Sequence, residues 1–136
     1  MDRSSIAVLA VAALAVCASI NSYSISKHLA GQLPDRYGIA AAERRFAGAL
    51  QVLPPGGVVG YITDMPLSEN VGPVAFMSAQ YALAPHPLVP VEKAQADWAI
   101  GNFAHPGDFG ARGAQAGFAM VEDLGDGAVV YRRAPR

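Results

Sequence analysis

The chain of 136 residues has one cysteine, Cys17, and one tryptophan, Trp98. A single cysteine cannot form a disulfide within the chain, so the cysteine count does not indicate the redox compartment of the folded part. Charged residues are also scarce, at 15% of the chain, and the formal net charge is −1. Nucleic-acid-binding domains usually carry a basic stripe and a high isoelectric point, so the composition argues against nucleic acid as a partner.

Apolar residues, by contrast, are abundant. They make up 52% of the chain, which is sufficient for a packed core and argues against disorder. Because domains usually contain roughly 50–200 residues, we expect one domain of about 100 residues with an appendage.

The appendage is an uncharged segment from Ser4 to Ser26. About 20 helical residues cross the hydrocarbon core of a bilayer, so we predict a transmembrane anchor at residues 1–26. A cleaved signal peptide is the alternative, because Arg3 gives a short basic start and residues 16–18 offer a small-residue cleavage site. Basic residues flank both ends almost equally, and we expect a single-pass protein of the bacterial inner membrane with its domain in the periplasm.

After a linker at residues 27–36, the sequence predicts an amphipathic helix over residues 37–53. Its apolar positions recur at helical spacing, and Asp35 is the best candidate for its cap. Residues 54–57, Pro-Pro-Gly-Gly, end it. The continuous apolar run that follows, up to Thr63 and Asp64, indicates a strand covered on both faces, as in parallel sheets.

A second helix should extend to about Ala84, with Ser68 or Asn70 as its cap and Pro73 in its first turn. It is apolar around most of its circumference, so we expect it to be largely enclosed. Residues 87–91 have the character of an edge strand because they contain two prolines. Together, strand, helix and strand form a β-α-β unit.

The rest of the chain predicts a strand at residues 96–103, a glycine-rich loop at residues 104–117 and a β-hairpin. The hairpin is indicated by Asp126-Gly127, which tolerates the positive φ angles of a tight turn. The predicted fold class is therefore α/β: a transmembrane helix followed, at residues 37–136, by a two-layer or three-layer domain with a mixed sheet.

Several segments carry a resemblance to known proteins: Arg45-Phe46, residues 53–64, residues 80–85, Trp98 and residues 131–133. The pattern resembles uncharacterised bacterial membrane-anchored proteins. It is also similar to the small extramembrane α/β domain of some multi-pass glycosyltransferases that use lipid-linked sugars. Those transferases keep their catalytic carboxylates in a polytopic portion that has no counterpart here, so the resemblance implies an accessory domain without transferase activity.

Candidate site residues are few. Asp64 would lie at the carboxyl end of a strand, where open α/β sheets place ligand contacts, although a turn or cap role is the simpler interpretation. His105, Asp108 and Arg112 lie in the predicted loop, and long loops in compact domains often contact partners. The three histidines are too dispersed for a metal site, and the glycines precede the strand, unlike those of a dinucleotide-binding motif. We therefore expect no metal and no cofactor.

The sequence thus favours a non-catalytic, membrane-anchored accessory subunit that docks on a larger membrane complex. The expected partners are the lipid bilayer and an integral membrane protein, in an energy-converting, photosynthetic or envelope-polysaccharide assembly. The alternative is a periplasmic enzyme or ligand-binding module with a site at Asp64 and the loop from His105 to Asp108.

Overall fold

A computed structural model describes residues 3–32, 34–35, 37–93 and 95–135, with side chains except at residues 3–7, 10 and 30–32. The chain divides into two compact units, Met1–Pro34 and Asp35–Arg136. The first contains helix α1, Arg3–Gln32. The second, over its described residues, contains four shorter helices and five strands.

Helix α1 differs from the predicted transmembrane anchor. None of the helices, as far as the structure describes them, has the length and apolar content needed to span a bilayer. The described apolar run of α1 stops at Ala18, and Ser19, Asn21 and several later serines follow it within the helix. About 20 mostly apolar residues would be required. The predictions of a transmembrane helix, a single-pass membrane protein and an inner-membrane location are therefore wrong.

The second unit is built on a five-stranded mixed sheet in the order β2-β1-β3-β5-β4. Strand β1 lies parallel to both β2 and β3, whereas β5 runs antiparallel to β3 and to β4. The strands are β1 (Val59–Thr63), β2 (Leu88–Pro90), β3 (Trp98–Asn102), β4 (Phe118–Gly125) and β5 (Ala128–Arg133). The predicted mixed sheet with a β-α-β unit and a hairpin is thus present, although the fold predicted for the whole chain, with its membrane helix, is wrong.

Each face of the sheet packs against its own apolar cluster. On one face, Tyr61, Ile100 and Val130 pack with residues of helices α2 (Ile39–Phe46), α3 (Ala49–Val52) and α4 (Val71–Ala82). On the other face, Val129 and Tyr131 pack beside helix α5 (Phe109–Gln115). We call these the α2–α4 face and the α5 face. The domain is therefore a three-layer α/β structure.

Asp35 stabilises the start of α2, as the sequence predicts. Its two carboxylate oxygens accept hydrogen bonds from the backbone N–H groups of Ile39 and Ala41, at 2.8 and 3.0 Å. The predicted single helix over residues 37–53 is interrupted at Ala47-Gly48, and the turn that follows contains a bond from Gln51 N to Gly48 O, three residues back. This tighter hydrogen-bond spacing is typical of a 3₁₀ turn.

Helix α4 departs from prediction in two respects. Neither predicted cap residue forms a side-chain cap, since Asn70 precedes the helix without such a bond. The helix is also not enclosed, because Val74, Met77 and Tyr81 point away from the sheet, with Met77 64% and Tyr81 60% exposed. One side packs on the core through Ala79, and the opposite apolar side is left on the surface.

Helix α5 lies where the sequence predicts a loop. Asp108 caps it, accepting a hydrogen bond from Ala111 N at 2.9 Å. The glycines of this segment suggested a loop, but Gly113 lies within the helix because there is no room for a side chain. A β-carbon at this position would lie 2.4 Å from the ring of Tyr131. The loop prediction for residues 104–117 is therefore wrong over Phe109–Gln115.

The β4–β5 turn has the predicted chemistry, with positive φ at Asp126 (50°) and Gly127 (74°). It brings Gly127 against the end of β3, where Phe103 N donates to Gly127 O at 2.9 Å. The turn therefore lies at the edge of the sheet where β1 and β3 end.

Candidate functional site

The candidate site lies at the carboxyl ends of β1 and β3. These parallel neighbours end together, with Thr63 opposite Asn102. After β1 the chain crosses to β2 on one side of β1, and it then returns to β3 on the other side. In open α/β sheets, ligands bind outside the carboxyl ends of strands where the strand order reverses in this way.

Three of the four predicted site residues meet here, on the α5 side. Asp64 accepts four hydrogen bonds: from the backbone N–H of Ala104 (2.8 Å) and of His105 (3.1 Å), from the His105 ring (3.2 Å), and from Arg112 (3.0 Å). The His105 side chain is 77% exposed and that of Asp64 only 18%. We call Asp64, His105 and Arg112 the Asp64 cluster.

The Asp64 carboxylate is saturated with hydrogen bonds. Burial raises the pKa of Asp64, but the bonds from Ala104, His105 and Arg112 outweigh it, and the net pKa is lowered. A carboxylate that is held ionised by four donors is a poor general base. The cluster joins the end of β1 to the segment after β3, which is a structural role.

Arg112 is fixed from two directions. Besides its bond to Asp64, its guanidinium lies 4.8 Å from the centre of the Phe103 ring, and the rings of Phe103 and Phe109 are stacked 5.1 Å apart. The fourth predicted residue, Asp108, uses its side chain to accept a hydrogen bond from Ala111 N and serves as the cap of α5. Arg112 and Asp108 therefore have identified structural partners.

A second polar group lies at the same edge of the sheet, on the α2–α4 face. Asn102 Nδ2 donates to the Tyr61 hydroxyl at 2.8 Å, and Thr63 Oγ1 donates to the backbone O of Asn102 at 2.8 Å. Arg45, from α2, donates through one terminal nitrogen to Phe103 O at 2.7 Å. We call Arg45, Tyr61 and Asn102 the Arg45 cluster.

The Arg45 cluster is not saturated. Arg45 Nε and Asn102 Oδ1 are buried, and neither finds a hydrogen-bond partner among the described residues. Asn102 is only 3% exposed. Burial lowers the pKa of Arg45, with Asp126, Tyr61 and Asp64 acting in the opposite direction, and burial raises the pKa of Tyr61. Buried polar atoms without partners are uncommon in folded proteins, so each calls for an explanation.

Arg45 and Asn102 both line one cavity of about 360 Å³ between α2 and α4. Its walls are mainly apolar, with Phe46, Val71 and Val74 among them. A wider apolar groove of about 490 Å³ adjoins it and shares Tyr37, Val74 and Ser78. The α2–α4 face therefore has a small polar-ended cavity beside an open apolar groove.

The Asp64 cluster does not line a comparable single cavity. Arg112 borders one of about 650 Å³, and His105 borders another of about 460 Å³, but Asp64 lines neither. A cavity of about 860 Å³ beside Trp98 and Arg132 contains none of the four predicted residues. In the part of the chain that the structure describes, no three His, Cys, Asp or Glu side chains are grouped to hold a metal ion.

Sequence reasoning missed Arg45 and Asn102. Asn102 is a polar residue near the end of an apolar strand, which is a usable signal, because a buried amide needs partners. Arg45 gave no comparable signal, since arginine on an amphipathic helix is ordinarily exposed. Only the pairing of β1 with β3 and the position of α2 bring the two residues together.

Comparison with known proteins adds no information about this site. No protein-family model matches the chain, and neither curated proteins nor solved structures give a significant match. The resemblance to membrane-anchored proteins and to a glycosyltransferase domain therefore stays a prediction.

Proposed function

We propose that the domain of residues Asp35–Arg136 is a non-catalytic docking domain that holds an apolar helix of a partner protein in the groove between α2 and α4. The observation that carries this proposal is the exposed side of α4. Val71, Val74, Met77 and Tyr81 follow one another at spacings of three, three and four residues, and all are exposed. That spacing forms a continuous ridge along one side of a helix.

The chemistry of the groove favours an uncharged helical partner. Helix α4 has no charged residue over its length, and Tyr37 and Ile39 extend the apolar surface at the start of α2. Grooves of this kind accept amphipathic helices through anchors one turn apart. Contiguous exposed apolar patches on soluble domains commonly mark interaction sites.

The saturated Asp64 cluster supports a non-catalytic assignment. The carboxylate of Asp64 holds the segment after β3 in place, and a general base would need an acceptor position that its four hydrogen bonds do not leave free. The alternative proposal is a ligand-binding or catalytic site at Asp64 and the His105–Asp108 segment. The observation that favours it is the contact between the His105 ring and Asp64 at the carboxyl ends of β1 and β3. Loss of a measured activity in Asp64→Asn would support that alternative.

The docking proposal is tested with a photo-activated cross-linking residue at position 77 of the full chain, in cells of the source organism. The control has the same residue at position 120, because Met120 is also apolar and exposed but lies on β4. We expect cross-links from position 77 to one apolar helical segment of another protein. The isolated complex should be weakened on the order of 30-fold or more by Met77→Asp and not by Met120→Asp, since a charge in an apolar contact costs about 2 kcal/mol or more.

Two outcomes would contradict the proposal. Equal cross-linking from positions 77 and 120 would show that the groove has no preferred partner. Cross-links from position 77 to a second copy of this chain would identify a self-association surface instead.

A further inference from the structure

The imidazole ring of His105 has one nitrogen held by the protein and one without a protein partner. Nδ1 lies 3.2 Å from an oxygen of Asp64. The lowered pKa keeps the Asp64 carboxylate ionised, and an ionised carboxylate only accepts, so in the neutral ring Nδ1 carries the hydrogen and Nε2 the lone pair. Nε2 has no partner among the described residues, and the His105 side chain is 77% exposed. His105 therefore offers a hydrogen-bond acceptor whose orientation is set by Asp64.

His105 lines a cavity of about 460 Å³ at the carboxyl end of β3, and Asp126 lines it from the β4–β5 turn. The turn is fixed beside the segment that leads to His105, because Phe103 N donates to Gly127 O at 2.9 Å. The volume falls in the range of small-molecule pockets. Open α/β sheets bind ligands at this edge, next to the reversal in strand order. The cavity thus has one acceptor nitrogen and one carboxylate at the position expected for a ligand.

Charge in this cavity favours a cation. Asp126 is the one acidic residue among the described residues that line it, and no lysine or arginine is among them. The ion pairs in the described part of the chain are made by Asp64, so Asp126 takes part in none. Arg45 interacts with Asp126 at longer range, but it does not line the cavity. The Asp126 carboxylate is therefore available to a positively charged ligand.

An ammonium group matches both polar residues. It has a positive charge and several N–H donors, so it can donate to the His105 ring and pair with Asp126. The apolar lining residues Pro106 and Phe109 suit a hydrocarbon body. A metal ion fits less well, because bound zinc usually has three or four protein ligands and the described residues form no such group.

We propose that this cavity binds a small primary amine with an apolar body: its ammonium group donates to His105 Nε2 and pairs with Asp126, and its body lies against Phe109. The inference gives a ligand class to the alternative assignment at His105. It does not depend on the docking proposal, since Phe103 and Phe109 place the cavity on the α5 face, whereas the docking ridge lies on α4.

The test is a titration of the full-length protein with three probes that share a phenylethyl body, followed by NMR of the His105 ring protons. The probes are phenethylamine, its N,N,N-trimethyl derivative, which keeps the charge without N–H groups, and hydrocinnamate, which reverses the charge. We expect saturable shifts with phenethylamine and affinities lower by about fivefold or more for the other two, because the first loses the bond to Nε2 and the second meets Asp126 with a like charge. This comparison uses the unaltered protein, and its result is separate from that of the cross-linking experiment.

The matched variants are Asp126→Asn and Glu122→Gln. Each removes one negative charge from the β4–β5 hairpin with little change in size, and asparagine tolerates the positive φ of 50° at position 126. Glu122 is exposed and does not line the cavity. Asp126→Asn should weaken phenethylamine binding by about fivefold or more and Glu122→Gln by less than about twofold. His105→Asn, which removes Nε2 but keeps an N–H donor near Asp64, should weaken it about as much as Asp126→Asn.

Three results would overturn the proposal. The first is that the trimethyl derivative or hydrocinnamate binds as tightly as phenethylamine. The second is that Asp126→Asn or His105→Asn binds phenethylamine as tightly as Glu122→Gln. The third is that no saturable shift appears up to roughly 10 mM, the weak limit for a specific small ligand.

Discussion

The Asp64 cluster and the Arg45 cluster lie at the same edge of the same sheet, on opposite faces, and they differ in how completely their polar atoms are paired. Asp64 accepts four hydrogen bonds near the surface, whereas Arg45 Nε and Asn102 Oδ1 are buried and have no partner within the described part of the chain. Ordinary packing explains the first arrangement. The second is costly for the protein alone, because an unpaired buried polar group loses its hydration without compensation.

This difference changes which of the two clusters stands out, because the sequence alone draws attention to the residues of the Asp64 cluster. Asp64, His105 and Arg112 are residue types associated with chemistry, but the four hydrogen bonds that Asp64 accepts leave its carboxylate no free acceptor position. Arg45 and Asn102 are less conspicuous in the sequence, yet each has a buried polar atom that none of the described residues pairs. The hydrogen bonds in the structure therefore show whether a polar group is already paired, which the residue type alone does not.

The largest loss of stability should come from Gly127→Ala, a position next to the Arg45 cluster. Gly127 has φ of 74°, and a β-carbon there would lie 2.2 Å from Phe103 O, the acceptor of the Arg45 bond. Backbone strain and the steric clash should together lower the free energy of unfolding by about 3 kcal/mol or more. Urea denaturation followed by Trp98 fluorescence measures this, because Trp98 is the only tryptophan and lies in β3.

Gly125→Ala is its control. Gly125 has φ of 87° in the same hairpin, but a β-carbon there would contact nothing within 4 Å. It should cost about 1 kcal/mol, from backbone strain alone. Equal losses in the two variants would show that the contact between the turn and Phe103 is unimportant.

A smaller effect is expected for Asp64→Asn, on the saturated side. The amide keeps the size of the carboxylate but loses the charge that pairs with Arg112 and one of the acceptor oxygens. We expect a loss of about 2 kcal/mol at neutral pH, and less than about 0.5 kcal/mol for the exposed control Asp97→Asn. A loss as small as that of the control would mean that the cluster does not stabilise the domain.

The pH dependence of this loss sharpens the prediction. The pKa of Asp64 is lowered in the folded state, so its stabilising contribution is present above the unfolded pKa of about 3.9 and is lost as the pH falls through the folded pKa. The difference between the unaltered protein and Asp64→Asn should therefore shrink as the pH falls below roughly 4. A difference that grows in acid would contradict the assigned role of the carboxylate.

Local patterns predicted much of the sheet. The apolar run ending at Thr63 indicated β1, Asp126-Gly127 indicated the hairpin turn, and Asp35 indicated the start of α2, because these signals act over a few residues. Helix α5 was missed because its glycines suggest a loop. Gly113 is explained only by the ring of Tyr131, which is distant in sequence.

The candidate site was predictable only in part. The position of Asp64 at the carboxyl end of a parallel strand was predictable, and the structure brings His105 and Arg112 to it. The sequence does not show that four hydrogen bonds saturate the Asp64 carboxylate. Nor does it show that α4 leaves Val74 and Met77 exposed, because an apolar circumference favours enclosure until the positions of neighbouring elements are known.

Apart from the control variants, the smallest change in stability is expected for Arg45→Met, and it tests the contrast most directly. The variant loses the bond to Phe103 O, but it also removes a partly buried charge and the unpaired Nε donor. Replacing a poorly paired buried charge with an apolar side chain of similar length is often nearly neutral. We expect a change of less than about 1 kcal/mol in the free energy of unfolding, smaller than that of Asp64→Asn, with Arg44→Met close to zero. A loss exceeding that of Asp64→Asn would show that Arg45 is a structural residue, like Asp64, and would remove the distinction between the two clusters.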